Sequence, residues 1–189
     1  LRQPGAAALP NSPGEAVSRF TGDVRQVAKF AVDRLVDVWG GDRVAVRLSP
    51  NGDSQGADDA TPVATFTAAA KLLDQIGIAF LELREPPAHG TYGNTDVPIV
   101  SPDIRPVFNR PLVLNSDYFY ENASEALAKD NADAISFGRT FMTNPDLPER
   151  FRTGADLNPI DFTPTWYSQG AEGYVDYPTM EQAKAAANA

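Results

Sequence analysis

Four short apolar runs alternate with helix-like segments along this chain, and this alternation constrains the fold more than any other feature. The runs show no strict two-residue alternation of apolar and polar residues, which is typical of a parallel sheet buried on both faces. We therefore predict four strands: "RVAVRLS" (43–49), "IAFLELRE" (78–85), "PLVLNS" (111–116) and "DAISFG" (133–138). Two α/β architectures fit, a small doubly wound sheet and one half of a (β/α)8 TIM barrel. A whole barrel typically needs about 250 residues, and the chain has 189.

Between the predicted strands, apolar residues recur at spacings of three and four, which is the period of an amphipathic helix. The first such segment ends at Gly40 and Gly41, and the second ends at Gly77. The predicted helices cover 24–38, 62–76, 120–129 and a short segment near 145–151. Residues 1–23 are rich in Pro, Gly, Ala and Ser and are predicted to be a loop or linker. We expect one α/β domain over 24–178 and a tail over 179–189, which is a solvated helix or a frayed end.

The composition excludes several classes of function. The formal net charge is −9, from 25 acidic and 16 basic residues, which argues against a general nucleic-acid or anionic-membrane surface but leaves room for one local phosphate site. The chain has no cysteine, so it has no disulfide, thiolate zinc site or cysteine nucleophile. Its single histidine, His89, lies in a polar loop and excludes a histidine-based metal cluster.

No run approaches about 18 apolar residues, and the start "LRQPGAAALPNSPGE" does not resemble a signal peptide. We expect a cytoplasmic protein.

Charged residues follow or end the predicted strands and are the candidates for a binding site. Gly138 and Arg139 come directly after the fourth strand, where glycine permits close backbone approach and arginine offers a bidentate cation. The partner of Arg139 is either a carboxylate or a bound phosphate. Arg47, near the end of the first strand, indicates an ion pair or a ligand, and the residues alone favour the ion pair. Asp117 lies in "VLNSDYF", which is either an anion-binding turn before a helix or a helix N-cap.

Two further clusters have competing interpretations. Glu82 and Glu85 form a carboxylate pair suited to acid–base chemistry, but Arg84 between them favours a neutralised, structural role. The segment 165–178, "TWYSQGAEGYVDYP", places four aromatic residues among glycines. It either fixes the C-terminal part of the chain to the core or forms a lid over a planar ligand.

Taken together, the ordered motifs resemble the C-terminal half of the Old Yellow Enzyme family, the FMN-dependent ene-reductases built on a (β/α)8 barrel. The resemblance extends from about Val24 to Pro178. Its most specific parts are "GGDRVAVRLSPNG", "GIAFLELREP", "LVLNSDY", "DAISFGRTFMTNPDLPERF", "LNP" and "YSQGAEGYVDYP". It implies that 24–178 is half of a TIM barrel with an FMN phosphate site.

The resemblance also implies roles for individual residues. Arg47 corresponds to an arginine beside the flavin pyrimidine edge, where a positive charge stabilises the reduced, anionic flavin. Backbone amides at Asp117 and Tyr118 would meet the FMN phosphate, with the acidic side chain pointing away. A second phosphate contact falls to Gly138 and Arg139, so the phosphate interpretation of Arg139 is preferred. Tyr167 corresponds to an aromatic residue near the flavin and substrate mouth.

The departures from the family define two hypotheses. The strands of the first four βα units do not occur in this sequence, nor do the His/His or His/Asn pair that grips the substrate carbonyl and the tyrosine proton donor, so no catalytic residue is assigned. The first hypothesis is the flavin-binding portion of an FMN-dependent, NADPH-using oxidoreductase that reduces activated C=C bonds of enone-type substrates. The alternative is a non-catalytic remnant that binds a phosphate ligand or a partner. Either version predicts a complementary half-barrel chain or self-association.

Overall fold

A computed structural model of the protein describes residues 24–52, 59–91, 95–160 and 170–188, with side chains from residue 29 onward. The predicted linker at 1–23 lies outside the described residues. Strands and helices alternate along most of this length. The strands are β1 (Ala45–Leu48), β2 (Phe80–Arg84), β3 (Leu112–Asn115) and β4 (Ala134–Ser136). The helices are α1 (Val24–Trp39), α2 (Pro62–Ile76), α3 (Ser101–Ile104), α4 (Tyr120–Ala128), α5 (Arg139–Thr143), α6 (Leu147–Thr153) and α7 (Met180–Ala187).

The four strands form one parallel sheet in the order β1-β2-β3-β4. Arg47 pairs with Glu82 in register, Glu82 with Val113, and Val113 with Ala134. Sequential order is that of a barrel wall, whereas a doubly wound sheet reverses its strand order at a switch point. Of the two architectures that the sequence permits, the structure therefore has the half TIM barrel.

One face of this sheet builds the core. Leu81, Leu83, Leu112 and Leu114 alternate along β2 and β3 and are at most 4% exposed. They pack with residues of α2, of α3 and of the segment after α3, among them Ala70, Leu73, Ile104 and Phe108. Burial of each such side chain contributes about 1.5–3 kcal/mol, so this apolar layer is the main source of the stability of the fold.

The opposite face of the sheet remains open, and here the predicted burial on both faces is wrong. Its side chains include Ala45, Phe80 and Ala134, which are all exposed, with Phe80 38% exposed. In a closed barrel these inward positions are covered by the other strands. The described part of the chain supplies four strands only, so the face that would line a barrel interior meets solvent.

Local signals set the helix boundaries that the sequence predicts best. Helix α2 matches the predicted 62–76 because Pro62 occupies its first turn and Gly77 ends it in the left-handed region, with φ of 86°. Helices α3 and α5 were not predicted. Both are short, with 4 and 5 residues, so they are too short to show a helical period. The predicted fourth strand is also shorter, since β4 ends at Ser136 and α5 begins at Arg139.

A buried arginine fixes the C-terminal segment to the rest of the fold. Arg150, only 4% exposed, donates to Asp146 Oδ1 through Nε at 2.6 Å, and its two terminal nitrogens donate to the carbonyls of Asp156 and Pro178. The second oxygen of Asp146 accepts the Met180 N–H at 2.7 Å, at the start of α7. These contacts attach Pro178 and the start of α7 to α6, which agrees with the first interpretation for the end of the aromatic segment. Residues 165–169 lie outside the described residues.

We predict that Arg150→Ala lowers the free energy of unfolding by about 3 kcal/mol, because the substitution leaves Asp146 and two carbonyls without their buried cation. Arg152→Ala is the matched control, since Arg152 is 70% exposed and pairs with Glu149 at the surface; its effect should be small beside that of Arg150→Ala, because water screens an exposed ion pair. Urea unfolding followed by circular dichroism measures both. Equal effects of the two substitutions would contradict the role given to Arg150.

Candidate functional site

A cavity of about 820 Å³ opens at the carboxyl ends of the strands. In TIM barrels this end of the sheet holds the functional site, because the loops that follow the parallel strands converge there. The cavity is lined by strand residues (among them Arg47, Arg84, Asn115 and Ser136), by the turn at 116–119, by 137–140, and by Thr91 and Tyr174. All five predicted binding residues that the structure describes line it: Arg47, Asp117, Tyr118, Gly138 and Arg139.

Arg47 belongs to a polar network that crosses the sheet. Its Nη2 donates to Asn115 Oδ1 at 2.9 Å, and its Nη1 lies 3.4 Å from Glu82 Oε1. Ser136 donates its hydroxyl to the same Glu82 oxygen at 2.6 Å and accepts from Asn115 Nδ2 at 2.9 Å. The expected ion pair of Arg47 is therefore present. Its side chain is still 52% exposed, so the guanidinium is oriented by the network and also faces the cavity.

Arg139 pairs with Asp117, which is the carboxylate alternative that the sequence leaves open. Asp117 Oδ1 accepts from Arg139 Nη2 and from the Thr91 hydroxyl at 2.7 Å, and Asp117 Oδ2 accepts the Thr91 N–H at 2.9 Å. Both side chains of the ion pair are largely buried, at 22% and 13% exposed. Arg139 also lines the cavity, so its carboxylate contact and a contact to a ligand are compatible.

The turn after β3 has an unusual backbone. Ser116 and Asp117 are both in the left-handed region, with φ of 98° and 50°, a conformation that costs non-glycine residues energy and is often found at functional sites. Asp117 is not the N-cap of α4, since the helix begins at Tyr120 and Asn122 Oδ1 accepts the Phe119 N–H at 2.6 Å. The N-cap alternative for Asp117 is therefore wrong.

Tyr118 and Gly138 shape the cavity in different ways. Tyr118 packs against the apolar core, and its burial, aided by the charge of Glu85, raises the pKa of its phenol. At Gly138 an added Cβ would meet nothing within 4 Å, so the space in front of this glycine is open. Open space beside an arginine is what a ligand phosphate that approaches the backbone requires.

The two carboxylates predicted as a possible pair have separate, structural roles. Glu82 is part of the Arg47 network. Glu85 is buried, and its Oε1 accepts the backbone N–H groups of Val100 at 2.6 Å and Ser101 at 3.0 Å at the start of α3. Burial raises the pKa of Glu85 above its ordinary value, although these hydrogen bonds oppose the rise. The interpretation of these glutamates as structural rather than catalytic agrees with these contacts.

The lining has a positive character that the whole chain lacks. Among the described lining residues are three arginines, Arg47, Arg84 and Arg139, and one acidic residue, Asp117, while the chain carries a net charge of −9. Such a local excess of cations attracts an anionic ligand. In the described part of the chain no group of three or more His, Asp and Glu residues could hold a metal ion. No helix within the described ranges has the length and apolarity needed to cross a membrane.

Thr91 and Tyr174 line the cavity, and the sequence did not predict either as a binding residue. Tyr167 was predicted, but it lies outside the described residues, so its role stays a prediction. Tyr174 is in the aromatic segment singled out by the sequence and is 50% exposed at the cavity. Thr91 follows β2 after a loop of several residues, and only its position after a strand could have indicated it. His89 is exposed and is not among the residues that line the cavity.

We predict that Glu85→Gln flattens the pH dependence of stability. Because the folded pKa of Glu85 lies above its ordinary value of 4.5, the folded protein keeps this proton to higher pH than the unfolded chain does. The parent should therefore lose stability relative to the variant as the pH rises above 4.5. Urea unfolding between about pH 4 and pH 7 measures the difference, with Glu181→Gln on exposed α7 as control. If the free energy of unfolding has the same pH dependence in the parent and in Glu85→Gln, the pKa of Glu85 is not raised.

Comparison with known proteins agrees with the geometry. A family model described as the NADH:flavin oxidoreductase / NADH oxidase family matches residues 12–158. The chain is 31% identical to 12-oxophytodienoate reductase 2 of Arabidopsis thaliana over 179 residues, which is 92% of this chain and 47% of that protein. It is 32% identical to a 12-oxophytodienoate reductase-like protein of Solanum lycopersicum, covering 84% of this chain and 42% of the relative.

Solved structures give the same result. The old yellow enzyme homologue from Zymomonas mobilis superposes with a TM-score of 0.80 at 49% identity, over 84% of this chain and 45% of that chain. Morphinone reductase superposes with a TM-score of 0.75 at 37% identity, over 87% and 44% of the two chains. The chain thus spans about half the length of these relatives, in keeping with the half barrel that it forms. It belongs to the NADH:flavin oxidoreductase / NADH oxidase family, the family of the Old Yellow Enzymes.

Proposed function

We propose that this chain is the flavin-binding portion of an FMN-dependent NAD(P)H oxidoreductase that reduces activated C=C bonds of α,β-unsaturated carbonyl compounds. The observation that supports this most directly is that Arg47 on β1 and Arg139 after β4 line one open, positively charged cavity at the carboxyl ends of a half barrel. The named relatives are reductases. One solved structure of morphinone reductase holds tetrahydroNAD, which supports a nicotinamide as electron donor. We propose NADPH as that donor and the cytoplasm as the location.

The residues present fit FMN. The open space before Gly138 and the guanidinium of Arg139 would receive the phosphate, together with backbone amides of the turn at Asp117 and Tyr118. The carboxylate of Asp117 is directed to Thr91 and Arg139, so the acidic side chain is bound by donors of its own. Tyr167, outside the described residues, is proposed to border the flavin and substrate mouth. When bound, FMN supplies the hydride-transfer chemistry.

Arg47 is proposed to act by charge. Glu82 and Asn115 hold its guanidinium at the cavity, at 3.4 Å and 2.9 Å, so its orientation is set before a ligand arrives. A preorganised cation beside an electron-accepting ring favours the negative charge that the ring gains on reduction. Arg47 would then raise the tendency of the cofactor to accept electrons, and it takes no part in proton transfer.

The substrate-polarising pair and the proton donor are proposed to lie in the half of the barrel that the four described strands do not form. Family membership favours the oxidoreductase over the alternative of a non-catalytic remnant. The enzyme would therefore be complete only when a second half of the barrel covers the open face of the sheet.

We predict that the purified chain retains FMN, with a flavin absorbance band that co-elutes with the protein. Arg139→Ala should raise the Kd for FMN by about tenfold or more, because it removes a charge-assisted contact to the phosphate. Flavin fluorescence titration gives the Kd, and Arg152→Ala, which removes an exposed arginine of α6, is the control. If the chain retains no flavin at any concentration tested, the proposed function is wrong.

The open sheet face is the proposed surface for the missing half of the barrel. The exposed Phe80, Ala45 and Ala134 surround the polar network of Arg47 and Glu82 on this face. An exposed apolar sheet surface of this kind usually marks an interaction site. The candidates are a complementary half-barrel chain and a second copy of this chain, which would form a pseudo-barrel.

We predict that the isolated chain self-associates, since nothing else in the preparation can cover Phe80 and its neighbours. Size-exclusion chromatography with light scattering should give a mass above that of the monomer at micromolar concentrations. Phe80→Lys should shift the equilibrium towards the monomer, while Tyr174→Lys, a similarly exposed aromatic residue outside the sheet, should not. A sharp monomer peak for the parent would refute the self-association.

A further inference from the structure

Asp117 joins two parts of the chain that are far apart in sequence. Its carboxylate accepts both the N–H and the hydroxyl of Thr91 in the loop after β2, and it pairs with Arg139 at the start of α5. Asp117 itself lies in the turn after β3. The carboxylate therefore connects the loops that follow β2, β3 and β4, and all three residues line the cavity.

The negative charge of Asp117 is well compensated. Burial raises the pKa of its carboxyl, but the hydrogen bonds from Thr91 and Arg139 outweigh burial, so the pKa lies below its ordinary value. The side chain is 13% exposed. A carboxylate that is ionised and bound by three donors has little remaining capacity to attract other groups. Its main effect is on the position of its partners.

We propose that Asp117 is a positioning residue of the phosphate site: its carboxylate holds the Arg139 guanidinium at the cavity and joins it to the loop at Thr91. This inference rests on the proposed function, because it assumes that the anion bound there is the phosphate of FMN. A guanidinium has five N–H donors in a rigid planar fork, so Arg139 can bind the Asp117 carboxylate at one edge and a phosphate at another. Held in this way, Arg139 loses less side-chain freedom when the phosphate binds.

If Asp117 acted only through its negative charge, its removal would tighten phosphate binding, whereas loss of a positioning residue would weaken it. Removal of an acidic residue beside an anion site lowers repulsion and should strengthen phosphate binding. The structure favours positioning over repulsion because Asp117 points to Thr91 Oγ1 at 2.7 Å and Thr91 N at 2.9 Å, and these donors offset its charge. Positioning predicts a higher Kd for FMN after substitution of Asp117, and repulsion predicts a lower Kd. The direction of the change therefore distinguishes them.

The test compares binding of FMN with binding of riboflavin, which lacks the phosphate. Asp117→Ala should raise the Kd for FMN about tenfold and change the Kd for riboflavin by less than twofold, with Asp117→Asn between parent and Ala. Asp130→Ala is the matched control, because Asp130 also has a positive φ of 56° and pairs with an arginine, Arg105, outside the cavity. Unchanged or tighter FMN binding by Asp117→Ala would overturn the proposal, as would an equal loss for both ligands.

Thr91→Val tests the connection to the loop, since valine keeps the backbone N–H and removes the hydroxyl donor. It should weaken FMN binding by a few-fold in the parent and have no further effect in Asp117→Ala, because the two residues act through one contact. Additive losses in the double variant would show that Thr91 acts independently of Asp117, which contradicts the proposed connection.

Amide exchange at Thr91 in the ligand-free protein separates this inference from the proposed function. The Thr91 N–H donates to Asp117, so Asp117→Ala should accelerate its exchange at least tenfold, and Asp130→Ala should not. Unchanged exchange would refute the connection, whatever binds in the cavity. Accelerated exchange in a chain that binds no FMN would instead support the connection and refute the flavin assignment.

Discussion

The parallel pairing of four consecutive strands is the constraint on which the rest of the structure depends. Because β1 to β4 run in the same direction and in sequential order, their carboxyl ends meet at one edge of the sheet. Arg47 and Arg139, which are 92 positions apart in the sequence, therefore line the same cavity. The same pairing places the leucines of β2 and β3 on one face, where the helices cover them. The register of the four strands therefore sets both the apolar core and the position of the cavity.

At the site, each of two arginines is oriented by a carboxylate that is itself bound elsewhere. Arg47 pairs with Glu82, which also accepts from Ser136, and Arg139 pairs with Asp117, which also accepts from Thr91. Such networks fix the direction of a cation without removing it from the cavity. An acidic chain can in this way present a positive cavity to an anionic ligand, because the carboxylates that pair with the two arginines are themselves bound by Ser136 and Thr91.

The open face of the sheet connects the fold with the comparisons. The chain covers 45% of the old yellow enzyme homologue from Zymomonas mobilis and 44% of morphinone reductase. Half a barrel keeps the proposed phosphate end of the site, since the residues proposed for it follow the last two strands, but it leaves inward-facing residues such as Phe80 exposed. The C-terminal segment, in contrast, is fixed by Arg150 and Asp146 from within the chain. The part of the barrel that the described residues leave open is therefore its interior.

The sequence by itself determined the strand centres, the longer helices and five of the residues that line the cavity. Pro62 and Gly77 act on their own backbone, so α2 could be located from them. Arg47, Gly138 and Arg139 were predicted as binding residues because they lie near the end of a strand or after it, within ordered motifs. Contacts between distant residues were decided only by the tertiary structure. Thr91 reaches Asp117 and Glu85 binds the start of α3 across 26 and 15 positions, distances at which no local period exists. The sheet face that stays open was likewise undetermined, because the apolar pattern of a strand is the same whether or not a second layer covers it.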